Sequence, residues 1–101
     1  MIAGFDWDEG NSGKCQKHGL SLEAIEAVFR GPFRLAPDLA HYRVETRFLA
    51  IGKGDGDRLV LVAFTLRRGE AGDRIRPISA RYMHEKERRA YEAQTSPPGD
   101  G

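Results

Sequence analysis

The chain has 101 residues, 31% of them charged, with a formal net charge of +1 at neutral pH, which suits one modest core and is too little for two. No apolar run approaches the ~20 residues needed to cross a bilayer, and the opening MIAGFDWDEG has neither the basic flank nor the apolar stretch of a secretory signal, so a cytoplasmic location is expected. The single Cys15 excludes an internal disulfide and a cysteine-based zinc knuckle; in a polar segment with nothing nearby to activate it, it is expected to be an incidental thiol.

In chain order, GFDWD is expected to form a short strand, and DEGNSGKCQKHG a short exposed helix or helical turn ending at Gly19. SLEAIEAVFRGP predicts an amphipathic helix: Ser21 is a plausible N-cap, Glu23 lies in the first turn, Leu22, Ile25, Val28 and Phe29 share a face, and Gly31-Pro32 stops it. Residues 33 to 39 read as a loop or short edge strand, given Pro32 just before them and Pro37 within them. HYRVETRFLAIG alternates, with Tyr42, Val44, Thr46 and Phe48 on one side and Arg43, Glu45 and Arg47 on the other, the pattern of a strand with one covered face. KGDGD supplies turn chemistry, RLVLVAFTLRRG reads as a central strand, EAGD turns again, and RIRPISAR is a third long strand whose Pro77 must sit at an edge or a bulge. HEKERRAYEAQ is helical in composition, and TSPPGDG is expected to be a disordered tail from residue 95. The order implies an α+β fold within one domain over residues 1 to 94, with N-terminal helices and a C-terminal helix packed on a twisted antiparallel sheet of three to four strands.

Charge is unevenly spread. Residues 41 to 91 carry twelve basic against seven acidic side chains, a net of +5 hidden inside a near-neutral total, and twelve of the sixteen basic residues are arginine. Guanidinium forks bind phosphate oxygens two at a time, so this distribution favours an anionic ligand such as nucleic acid over simple solubility. Five arginines fall between Arg74 and Tyr91. Arg88 and Arg89 stand beside Glu85, Glu87 and Glu92, where helical i,i+4 pairing accounts for them as a solvated surface; Arg74, Arg76 and Arg81 are assigned to the anion.

The motifs FDWD, KHG, VF at the end of the amphipathic helix, ETRFLAIG, LVLVAFTLR, and IRPISAR followed by ERRAY come in the order and spacing of the BrnT family of type II toxins, which the chain resembles from Phe5 to Tyr91. The resemblance implies a fold similar to RelE-like ribonucleases, an RNA-cleaving activity that stops translation, and a partner antitoxin of the ribbon-helix-helix type, BrnA, through which alone DNA is contacted. The sequence departs from the family at Pro77, where an aliphatic residue is usual, and in the glycine-interrupted DEGNSGKCQ segment.

RNA cleavage without metal needs a group to take the 2′-hydroxyl proton, cations to hold charge on the phosphorane, and an acid for the leaving oxygen. No metal-ligand spacing is visible, so no cofactor is expected. Lys17 and His18 of KHG offer one fixed cation and one imidazole able to take or give a proton; the alternative, His18 packing at the helix junction with Gly19 as a C-cap, stands level with it. Glu45 and Arg47, two apart on a strand face, are a candidate base and phosphate clamp, since an exposed ion pair adds only about 0 to 1 kcal/mol. Within the motifs that carry the resemblance, Arg67 and Arg81 are the catalytic cations, their proximity being implied by the family alone; Arg74, Arg76 and Ser79 join Arg47 as substrate contacts. Tyr91 is a candidate stacking residue, although at helical spacing a tyrosine more often packs with its hydroxyl in water. A rival reading is a non-catalytic nucleic-acid-binding or co-repressor module, and a third is an inactive relative impaired at Pro77.

Overall fold

The structure, a computed structural model, describes residues 2–37, 46–54 and 56–95. Five strands and three helices follow one another as β1 (Ile2–Phe5), α1 (Ser12–Gln16), α2 (Leu22–Arg30), β2 (Phe33–Pro37), β3 (Phe48–Lys53), β4 (Leu59–Gly69), β5 (Gly72–Tyr82) and α3 (Glu85–Thr95). The strands form one sheet in the order β1-β5-β4-β3-β2. The antiparallel β3-β4-β5 meander is the one expected, with β4 central, but the sheet has five strands where three to four were predicted and is mixed, because β1 runs parallel to β5. The two additional strands are short edge segments without apolar alternation: β1 pairs with residues 73 to 75, and β2 follows Pro32 and ends at Pro37.

The predicted strand beginning at His41 is shorter than expected. β3 starts at Phe48, Thr46 and Arg47 precede it as irregular chain, and residues 41 to 45, Glu45 among them, lie outside the described residues. α3 reaches Thr95, and the rest of the expected tail lies outside the described residues. No described helix is long and apolar enough to cross a membrane.

One face of the sheet is covered. Ser21 caps α2 by accepting from the Ala24 N–H at 3.1 Å, and the helix turns Ala24, Ile25 and Val28 onto Ala50, Val60, Val62 and Phe64. A side chain at Gly54 would stand 2.9 Å from the Ala24 carbonyl oxygen, so glycine there is what lets α2 approach the β3-β4 hairpin. Cys15, expected in a polar exposed segment, is instead fully buried in this core with Leu20. Burial pushes its thiol up to about 11, which makes it a packing group. α3 buries none of its side chains from Glu85 to Gln94, in contrast to a helix packed on the sheet.

β5 carries the feature that decides the opposite face. Between Ala63 and Phe64, β4 advances one residue while β5 advances two, from Ser79 to Pro77, leaving Ile78 as a β-bulge. Pro77 therefore sits at a bulge, as its missing N–H requires. Its carbonyl faces the flank where β1 has ended and accepts from Asn11 Nδ2 at 2.9 Å. Asn11, nearly fully buried, also donates to the Asp6 carbonyl and accepts from the Asp8 N–H, locking the start of α1 onto the edge of β5.

Candidate functional site

Along β4, residues 61, 63, 65 and 67 share the face away from α2. Their partners across β5 are Arg81, Ser79, Arg76 and Arg74, so all four stand on that open face. Strict two-residue alternation would have put Arg74 and Arg76 opposite to Ser79 and Arg81. The bulge at Ile78 restores them to one side.

Two clefts open on this face. The first, about 310 Å³, is lined by His18, Leu49, Leu61, Ala63, Ser79, Ala80 and Arg81. Arg81 enters it from the end of β5 and is held by Glu87 of α3 in a two-bond clasp, Nη1 to Oε1 at 2.7 Å and Nη2 to Oε2 at 2.8 Å. The same carboxylate accepts from the His84 N–H at 2.9 Å. The Arg81 guanidinium, then the His84 N–H, hold the Glu87 carboxyl down at about 2, and Glu87 in turn raises Arg81 above its ordinary value. The clasp uses one edge of the guanidinium, with Nη1 also reaching the Tyr82 carbonyl, and leaves the Nε edge for a ligand. His18, exposed beyond α1 and just before Gly19, where φ is +92°, faces Ser79 and Arg81 across the cleft.

The second cleft, about 170 Å³, is lined by Gly10, Asn11, Lys14, Arg47, Thr65, Arg67, Arg76 and Ile78. Arg76 is tied to Asp8 through both terminal nitrogens, at 3.0 and 3.1 Å, and to Asp6 at 3.3 Å. The Arg76 guanidinium, the Gly10 N–H and the more distant charge of Arg67 lower the Asp8 carboxyl, and Asp8 raises Arg76. Thr65 donates to the Thr46 carbonyl at 2.8 Å, pinning the chain next to Arg47. Arg67 and Lys14 make no hydrogen bond or ion pair with any of the described residues.

The predicted site is thus divided. His18, Ser79 and Arg81 come together; Arg47, Arg67 and Arg76 come together elsewhere. Arg67 and Arg81 lie six residues apart along the β4 register, roughly 20 Å at ~3.4 Å per residue, so they do not clamp one phosphate. Arg74 is exposed and donates to the Phe5 carbonyl, tying β1 to β5. Lys17 ends α1, exposed, and lines neither cleft, nor does Tyr91. Arg88 and Arg89 pair with Glu85, and Arg88 also with Glu92, as the surface reading expected. The residues missed were Lys14 and Glu87. Lys14 follows the anchoring Asn11 by three residues, one helical turn, which is the signal that points it into the second cleft. Among the described residues no group of three or more metal-ligating side chains converges.

A family model described as the ribonuclease toxin BrnT of a type II toxin-antitoxin system matches residues 7–87. No curated protein matches the chain.

Proposed function

Since the chain belongs to the BrnT family of ribonuclease toxins of type II toxin-antitoxin systems, we propose that it cleaves single-stranded RNA without metal, in the first cleft, and so inhibits translation. The observation that carries this is the first cleft, in which Ser79 and Arg81, in register with Ala63 and Leu61 on the open face, meet His18. His18 takes the proton from the 2′-hydroxyl, the oxygen attacks phosphorus, and the P–O5′ bond breaks as the imidazolium returns the proton to O5′, leaving a 2′,3′-cyclic phosphate and a 5′-hydroxyl. Arg81, its plane fixed by Glu87, places its free edge on the non-bridging oxygens as charge grows there, and the Ser79 hydroxyl adds a donor. Lys17, outside the cleft, is left a role in the field around His18.

The same reading makes the fold RelE-like, on the strength of α2 on one face of an antiparallel meander with basic groups on the other, and locates the protein in the cytoplasm with its RNA target. The partner is a ribbon-helix-helix antitoxin of the BrnA type, and DNA is reached only through it. Support for its docking comes from the part of the helix-bearing face that α2 leaves open: Phe33, Leu35 and Leu66 are exposed around an apolar groove with Phe29, Phe48 and Phe64. The apolar face of an amphipathic antitoxin segment fits this surface. Co-expression and a wash near 1 M NaCl, where the Debye length is about 3 Å, test it: retention of the antitoxin is expected, and clean release would make the contact electrostatic.

The function itself is tested by expression without antitoxin, which should arrest growth, and by incubation of the purified protein with RNA. Intact RNA in both settings would refute the reading.

A further inference from the structure

The second cleft is costly to hold together without a ligand. Arg67 and Arg74 stand directly opposite each other in the β4-β5 ladder, and Arg76 is the next residue on the same face of β5. Like charges in cross-strand register destabilise a sheet. Asp6 and Asp8 offset Arg76, and Arg74 is drawn to the Phe5 carbonyl, but Arg67 and Lys14 make no hydrogen bond or ion pair with the described residues. Lys14 and Arg67 reach the cleft from two rigidly joined elements, because Asn11 locks the start of α1 to Pro77. A fixed concavity with excess positive charge is built for an anion held at several oxygens.

We propose that this cleft is a phosphodiester-binding subsite, in which Arg67 and Lys14 hold an RNA backbone phosphate a few nucleotides from the one cleaved at Arg81. The proposal rests on the ribonuclease reading and deepens it. Both clefts lie on one face, centred about four residues apart along β4, or roughly 13 Å at ~3.4 Å per residue, a distance an extended single strand spans in a few nucleotides. Arg67 is on this account a positioning residue that grips the substrate away from the reacting atoms.

The test uses the full-length protein with a fluorescent single-stranded RNA long enough to cover both clefts, comparing wild type with Lys14→Ala, Arg67→Ala and Arg67→Lys. Each alanine variant is expected to raise KM roughly threefold to tenfold with kcat within about threefold, and to flatten the log-log salt dependence of RNA binding by about 0.7, the value of one single-strand phosphate contact. Arg67→Lys should recover part of the affinity. A series of RNAs with one neutral methylphosphonate each should reveal one position, away from the scissile bond, that weakens wild type but not Arg67→Ala. Inorganic phosphate at millimolar concentration should compete poorly, since it lacks the second attachment at Arg81. If wild type cleaves RNA and Arg67→Ala lowers kcat with KM unchanged, Arg67 acts on the reacting phosphate and the subsite is wrong. Unchanged kcat, KM and salt slope in both alanine variants would also overturn it, as would loss of antitoxin affinity with RNA binding intact, which would assign the cleft to acidic side chains of the partner. Failure of the wild type to bind or cleave RNA would overturn the ribonuclease reading and the subsite together.

Discussion

The two faces of the sheet are made from the same three long strands and do opposite things with them. On the covered face Val60, Val62 and Phe64 of β4 meet Ile25 and Val28 of α2, and the side chains are apolar and buried. On the other face the intervening residues, Leu61, Ala63, Thr65 and Arg67, lie under clefts with basic walls. The covered face supplies the folding free energy, which leaves the open face able to carry cross-strand arginines that weaken the sheet. The contrast repeats within the open face, where Arg81 is clasped by Glu87 and Arg67 is not clasped by any described residue.

The two faces separate most widely when the core is cut. Ile25→Ala should cost about 2–5 kcal/mol, seen as a lower denaturant midpoint, while the refolded fraction keeps its kcat, because Ile25 is fully buried on the covered face. Arg81→Ala should do the reverse: cleavage falling about 10²- to 10³-fold, the loss of one charge-stabilising donor, with RNA affinity and melting temperature changed far less. Equal losses of affinity and turnover would make the face a binding surface only.

Glu87 sharpens the comparison through pH. Its carboxyl is held at about 2 by Arg81 and the His84 N–H, below the ordinary value of about 4.3. Lowered in the folded state, it contributes stability that is fully present above the unfolded value and fades as pH falls from about 4 through 2. A carbon-detected titration should follow this, and Arg81→Ala should return Glu87 to the ordinary range while leaving the core signals in place. The contribution is small, since both side chains are about one-third exposed. The smallest effect is chemical. Cys15, buried with its thiol raised to about 11, should resist iodoacetamide at pH 8 in the folded protein and react fully in denaturant.

The meander was legible because its strands alternate or run apolar between glycine-bearing turns, and α2 because Ser21, its apolar stripe and Gly31-Pro32 each mark one property of a helix. What was hidden has a common cause, pairing over long range. β1 joins β5 across some seventy residues with no local pattern to announce it. The bulge at Ile78 is a single extra residue, which no period records, although Pro77 marked the place. It determines which arginines share a face, so Arg74, Arg76, Ser79 and Arg81 could be proposed as one set, while the separation of Arg76 from Ser79 and Arg81 was not visible. That Lys14 lines a cleft and Lys17 does not depends on how Asn11 fixes α1 against β5, a contact between residues far apart in the chain. Glu87 looked like a surface partner of the helix arginines, and its bond to a strand residue is a tertiary fact.

The central claim is that the His18, Ser79 and Arg81 cleft cuts RNA without metal. The most direct measurement is to incubate purified protein with a single-stranded RNA in excess EDTA and analyse the new ends, wild type beside Arg81→Ala. The account predicts cleavage by wild type alone, with 2′,3′-cyclic phosphate and 5′-hydroxyl termini. RNA left intact in EDTA but cut on adding Mg²⁺, or cleavage by Arg81→Ala at the wild-type rate, would contradict it.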